Sequence, residues 1–264
     1  MRTSFSSRLL TAYTWLVFAF LFAPLAIVVV FSFSDGSAFA FPPDRFSLRW
    51  FRYLGGREEF VSAAIVSLQV ALLATAGAIV LGLLASIALV RFRIPGKDAI
   101  ESALMSPLAL PGIITGVALL QFFSAAGLTR SFTRLVLAHV VICTPYAIRS
   151  ISASLHGIDP ALEEASRVLG ANEWQTFRRV VFPLLRPGFI AAAVFSFITS
   201  FDNVVVSIYL IGADTVTLPI RILTYLEWQF DPSIAAISTI LIAITGGLVL
   251  VAETVGGVSR AIRS

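Results

Sequence analysis

Six apolar runs, each long enough to cross a bilayer as a helix, constrain this chain more than any other feature: residues 9–33, 60–90, 104–123, 132–151, 189–211 and 234–255. A spanning helix needs about 20 apolar residues, and in hydrocarbon a segment must satisfy its own backbone polar groups. The runs therefore predict an all-α integral membrane protein with six transmembrane helices. Only 13% of the 264 residues are charged and the mean hydropathy is +0.91, against about 25% charged in soluble domains. The second run exceeds one crossing, which implies a tilt or a start along the interface. The first run follows Arg2 and Arg8, and "SAFA" at residues 37–40 is a weak cleavage match. A signal peptide's apolar region is about 7–15 residues, so this longer run reads as an uncleaved helix.

The 19 basic residues give a net charge of +4 but are scattered around the apolar runs, which argues against a nucleic-acid partner. Cys143 is the only cysteine; an internal disulfide and a cysteine metal site are excluded, and the residue reads as a small buried hydrophobe. His139 and His156 stand seventeen positions apart without HExxH, so no metal site is expected. Neither GxSxG nor a pair of intramembrane aspartates is present, which argues against an intramembrane protease.

Loop charge sets the orientation. With the N-terminus inside, Arg2, Arg8, Arg91, Arg93, Lys97, Arg149, Arg167, Arg178, Arg179, Arg186, Arg260 and Arg263 fall in the cytoplasm, and Arg45, Arg49, Arg52, Arg57, Arg130, Arg134 and Arg221 fall outside. Twelve against seven places both termini in the cytoplasm. Two external segments follow, residues 34–59 and 212–232. The first reads as an irregular loop with a short interfacial helix around Trp50, an aromatic anchor at the headgroups.

Between the fourth and fifth runs lies "EEASRVLGANEWQTFRRVVFPLLRPG", residues 163–188. Asp159 caps a helix that begins at Pro160, where a missing amide proton costs nothing, and Gly170 suits the left-handed position that ends it. Ala161, Leu162, Ala165, Val168 and Leu169 follow helical spacing, while Glu163 and Arg167 pair four apart on another face. Asn172 caps a second helix with Glu173 at its positive end and Arg178 and Arg179 nearer its negative end. Trp174, Phe177 and Val181 share a face, and Pro183 and Pro187 stop or kink the chain. Such a pair either rests on lipid headgroups or presents a docking surface.

Inside the fifth run stands Asp202, where a central Asp costs roughly 2.5–3.5 kcal/mol. Its neighbours Ser200, Asn203 and Ser207 are polar, so the carboxylate faces protein or water. It is either a partner for a cationic amine or a structural carboxylate bonded to a neighbouring helix. Pro107, Pro111, Gly112 and Gly116 break the third run, which either borders a path or packs closely on another helix. Gln121, Tyr146 and Trp228 are further lining candidates.

Glu164, Ala165, Ser166, Gly170 and Pro183 resemble the EAA loop of binding-protein-dependent ABC importer permeases: Glu-Ala-Ala, three residues, Gly, nine residues, an aliphatic, one residue, then Leu-Pro. Ser166 replaces the second Ala, Val180 stands at the Ile position and Phe182 replaces Leu. The resemblance covers about residues 60–255. "SPLALPGIITGVALLQFF", "SFDNVVVSIYL" and "LPIRILTYLEWQFDPSIAAISTILI" look like the branch serving spermidine/putrescine uptake and related solutes. Some permeases of that branch carry a second acid where this chain has Asn203.

The resemblance implies the organisation and the partners. Residues 1–59 would carry the N-terminal helix and external loop, residues 60–258 a type I importer transmembrane domain, and residues 159–187 a cytoplasmic coupling loop within it. That loop, through Glu163, Glu164, Ala165, Ser166, Gly170 and Pro183, would dock an ATPase. "IPGKDA" lacks the first glycine and the hydroxyl of a phosphate loop, so the chain is no enzyme and holds no cofactor. ATP and Mg²⁺ would be used by two copies of a separate ATPase subunit. A second permease, identical or homologous, and a periplasmic binding protein complete an importer in the bacterial inner membrane that works by alternating access. The other reading is an autonomous channel or ion-coupled secondary transporter using Asp202.

Overall fold

The computed structural model describes residues 5–229 and 231–256; Arg2, Arg260 and Arg263, used above for orientation, lie outside the described residues. Those residues form helices α1 (Phe5–Ser32), α2 (Arg49–Gly55), α3 (Glu58–Arg91), α4 (Lys97–Ala109), α5 (Gly112–Ala125) and α6 (Ser131–His156). After them come α7 (Pro160–Val168), α8 (Glu173–Thr176), α9 (Phe182–Leu184), α10 (Arg186–Phe201), α11 (Leu218–Trp228) and α12 (Ser233–Gly256). Among the described residues, four helices are long and apolar enough to cross a membrane, and two bent pairs bring the number to six if each pair is one span.

The third run is broken where its prolines and glycines predict, and the fifth ends earlier than expected. The third run divides into α4 and α5, which meet at 108°. Leu110 is extended there because Pro111 disfavours a helical residue before it. The fifth run does not continue to residue 211: α10 ends at Phe201. The Asn203 side chain accepts a hydrogen bond from the Val206 amide at 2.9 Å, and the Ser207 hydroxyl donates to the Asn203 carbonyl at 2.7 Å. Such local bonds compete with the helical ladder, so Asp202 is the first residue past the helix and exposed.

The chain divides into two compact units, one joining the chain up to Val61 to Ile222–Ile244, the other joining Ser62–Arg221 to the segment from Thr245 onward. In the first, α2 forms where a helix around Trp50 was expected. The indole, however, is buried and donates to the Gly36 carbonyl at 3.2 Å, so Trp50 packs inside its own loop instead of anchoring at headgroups. Phe60 meets Tyr225 edge-on at 5.4 Å, and the Tyr225 hydroxyl donates to Asp231 at 2.8 Å. The other Asp231 oxygen accepts from the Ser233 amide and so starts α12. α1 is exposed along its most apolar stretch, as a lipid-facing helix would be.

In the second unit the core lies between α6 and α10. Leu135, Cys143, Ala147, Ile151, Leu185 and Ala192 are fully buried there. A Cβ at Gly188 would stand 2.6 Å from that of Ser154, so only glycine allows this approach. Cys143 is the small buried residue expected, its thiol directed at the Ser196 carbonyl at 3.2 Å. Ser86 ties α3 to α6 through the Ile148 carbonyl at 3.1 Å.

Candidate functional site

The charged loop between α6 and α10 is built from local signals. Asp159 accepts from the Ala161 amide at 2.9 Å with Pro160 at the first helical position. Gly170 has φ +86°, and two bonds close the turn around it: the Gly170 amide to the Arg167 carbonyl at 2.9 Å, and the Ala171 amide to the Ser166 carbonyl at 3.1 Å. This is the Schellman arrangement, whose left-handed position costs a residue with a β-carbon roughly 1–2 kcal/mol. Asn172 and Gln175 then form a reciprocal capping box at 2.9 and 3.1 Å. A π-turn, Phe177–Val181, runs up to α9, where Pro183 lacks an amide donor and its ring crowds the preceding turn. The helical stretch through Leu184 meets α10 at 61°.

The loop faces two ways. Ser166 shares a hydrogen bond with Thr176 at 2.7 Å, which fastens α7 to α8. The Glu163 side chain, 13% exposed, is bonded to Arg91 at the end of α3 and lies 3.8 Å from Arg167. Glu164 and Ala165 are exposed, and Val168 and Leu169 are each 87% exposed with Trp174 at 67%. These hydrophobic side chains stand open beside a capped turn, as they would where a lipid or protein partner covers them. Beside them a cleft of about 420 Å³ is lined by Arg91, Phe92, Glu163, Glu164, Arg167 and Glu173, among others. The Glu173 hydrogen bond raises the Arg167 guanidinium above its ordinary value, so its charge is constant across the physiological range.

A second, smaller cavity of about 150 Å³ forms where the two helix breaks meet. Its wall includes Pro107, Gly112 and Thr115 from the α4–α5 break, Tyr146 from α6, and Thr199 and Asn203 from the end of α10. Tyr146 and Asn203 are thus brought together. Ser200 turns away into the core, where its hydroxyl meets His139 Nδ1 at 2.7 Å. Gln121 and Trp228 are exposed on α5 and α11, and Asp202 is exposed at the α10 terminus. Gly116 serves packing: a Cβ there would stand 2.6 Å from the Tyr209 ring.

Residues 78–256 match the family described as the binding-protein-dependent transport system inner membrane component. The chain belongs to that family. This transport-system component is 33% identical over 244 residues to the spermidine/putrescine transport system permease protein PotC of Haemophilus influenzae, covering 92% of this chain and 95% of that one. It is 31% identical over 236 residues to the putrescine transport system permease protein PotI of Escherichia coli, covering 87% and 84%. Among solved structures it resembles a bacterial ABC transporter involved in the import of the acidic polysaccharide alginate, with TM-score 0.73 and 14% identity over 96% of this chain and 99% of that one. It also resembles the MetNI methionine ABC transporter, with TM-score 0.58 and 22% identity over 81% and 96%. At these identities the structural likeness is one of fold.

For a transport-system component of this kind, sequence reasoning passed over two residues. Arg91 reads in the sequence only as a loop charge, although it reaches Glu163 in the charged loop 72 positions away. His139 was weighed only as a metal ligand; it is buried and bonded at both ring nitrogens, to Ser200 and, at 2.9 Å, to Ser207. Partners 61 and 68 residues distant leave no local signal.

Proposed function

We propose that this chain is the permease subunit of an ATP-driven importer for polyamines such as spermidine or putrescine, and that its loop at residues 159–187 docks an ATPase subunit on the cytoplasmic side. The observation that carries the docking role is the open apolar end of α7, Val168 and Leu169, held on the Gly170 turn. Lipid headgroups would accept the same apolar residues, but they would not require a turn closed by two hydrogen bonds and braced by Ser166 and Thr176. Glu164 and Ala165 extend the exposed face, while Glu163, Ser166 and Pro183 shape the loop from within. Residues 60–258 form the transmembrane domain, with both termini in the cytoplasm according to the arginine bias.

Two ATPase copies with their ATP and Mg²⁺, a second permease and a periplasmic binding protein complete the assembly, since one permease offers one coupling loop and half a path. Polyamine cargo is supported by the relatives at 31–33% identity and by Asp202, a carboxylate exposed at the α10 break. ATP-driven closure at the loop is transmitted to the broken helices, which open alternately to the two sides. The deciding experiment is uptake of labelled spermidine into proteoliposomes carrying the reconstituted complex. ATP-dependent accumulation is expected; accumulation without ATP would favour a secondary transporter.

A further inference from the structure

The cleft beside α7 holds an ordered line of charge that docking alone does not use. Arg91 is the last residue of α3, Glu163 lies in the first turn of α7, Arg167 in its last turn, and Glu173 opens α8. Glu163 is shared between Arg91 and Arg167, and Arg167 Nε bonds Glu173 at 2.9 Å. The signs alternate from the end of a membrane span to the start of the second loop helix. Each charge sits at the helix terminus its sign favours, cations at the C-terminal ends and acids in the first turns.

The folding of α7 does not require these pairs, because Asp159 caps it and the Gly170 turn closes it. What they add is a fixed spacing between α7 and the end of α3. Covalently the loop reaches the spans only through α6 and, past the π-turn and the 61° bend, through α10. α3 is joined to the core by Ser86 and to the loop by Arg91.

We propose that Arg91 and Glu163 are positioning residues that make α3 a third arm of transmission, clamping the second span to the coupling loop so that displacement of α7 moves α3 together with α6 and α10. This inference rests on the docking role proposed above. An alternating network tolerates little slack: a neutral residue at either position leaves α7 in place but frees its spacing from α3.

The test uses the full complex in proteoliposomes and reads three quantities: ATPase subunit retained, ATP hydrolysed, and labelled spermidine taken up per ATP. R91Q is expected to keep the ATPase bound and hydrolysing while uptake per ATP falls about fivefold or more, the lower end of ordinary coupling between sites. R91K should stay near the wild-type ratio, and R91E with E163K should recover much of what R91E loses. An unchanged ratio in R91Q would overturn the clamp while leaving docking intact. Loss of the ATPase from R91Q would also overturn it, because Arg91 would then be part of the docking surface. A wild-type complex that retains no ATPase would instead refute docking itself.

Discussion

At the scale of single residues, His139 shows how a buried polar side chain is settled in a membrane helix. The Ser207 hydroxyl already donates to the Asn203 carbonyl, so it accepts from His139 Nε2–H, and Nδ1 in turn accepts from Ser200. A neutral imidazole with one donor and one acceptor fits this network. His139→Phe would strand the buried Ser200 hydroxyl and remove the second partner of Ser207, at about 1–3 kcal/mol for the unsatisfied group. The purified protein should therefore melt several degrees lower in detergent, and an unchanged melting temperature would show that the network is not a stabilising one. Asp202 behaves differently because it is exposed beyond the α10 end. Asp202→Asn should leave melting and assembly unchanged and lower spermidine uptake about tenfold, the scale of one hydrogen bond to a charged group; undiminished uptake would make the carboxylate structural.

At the scale of elements, the coupling loop was the most legible part of the chain, because caps and turns are decided by neighbours in sequence. Asp159, Pro160, Gly170 and Asn172 all stand where their residue types predict. Gly170→Val places a β-branched residue at φ +86°, costing about 1–2 kcal/mol in a left-handed conformation. The ATPase should then co-purify about tenfold less well, and full recovery would contradict the role of the turn. The membrane elements were legible in number but not in path. Pro107, Pro111 and Gly112 announced a break, yet its 108° angle depends on what the two halves pack against. The end of α10 was hidden because Val204, Val205 and Val206 prolong an apolar run, although Asn203 and Ser207 were already placed to stop the helix. The π-turn before Pro183 had no signal beyond the proline itself.

At the scale of the whole molecule, six apolar runs and one charged loop define a membrane subunit with no phosphate loop of its own, and family membership supplies the transport system to which it belongs. Long-range pairings such as Arg91 with Glu163 were beyond sequence reasoning, since nothing local links residues 72 positions apart. The account stands on one claim: the apolar end of α7 meets an ATPase and not lipid. A photoreactive phenylalanine in place of Val168, activated in native membranes, tests it most directly. A cross-link to the ATPase subunit, lost when Gly170→Val is added, is the result predicted; cross-linking to lipid alone, with the permease intact, would contradict the account.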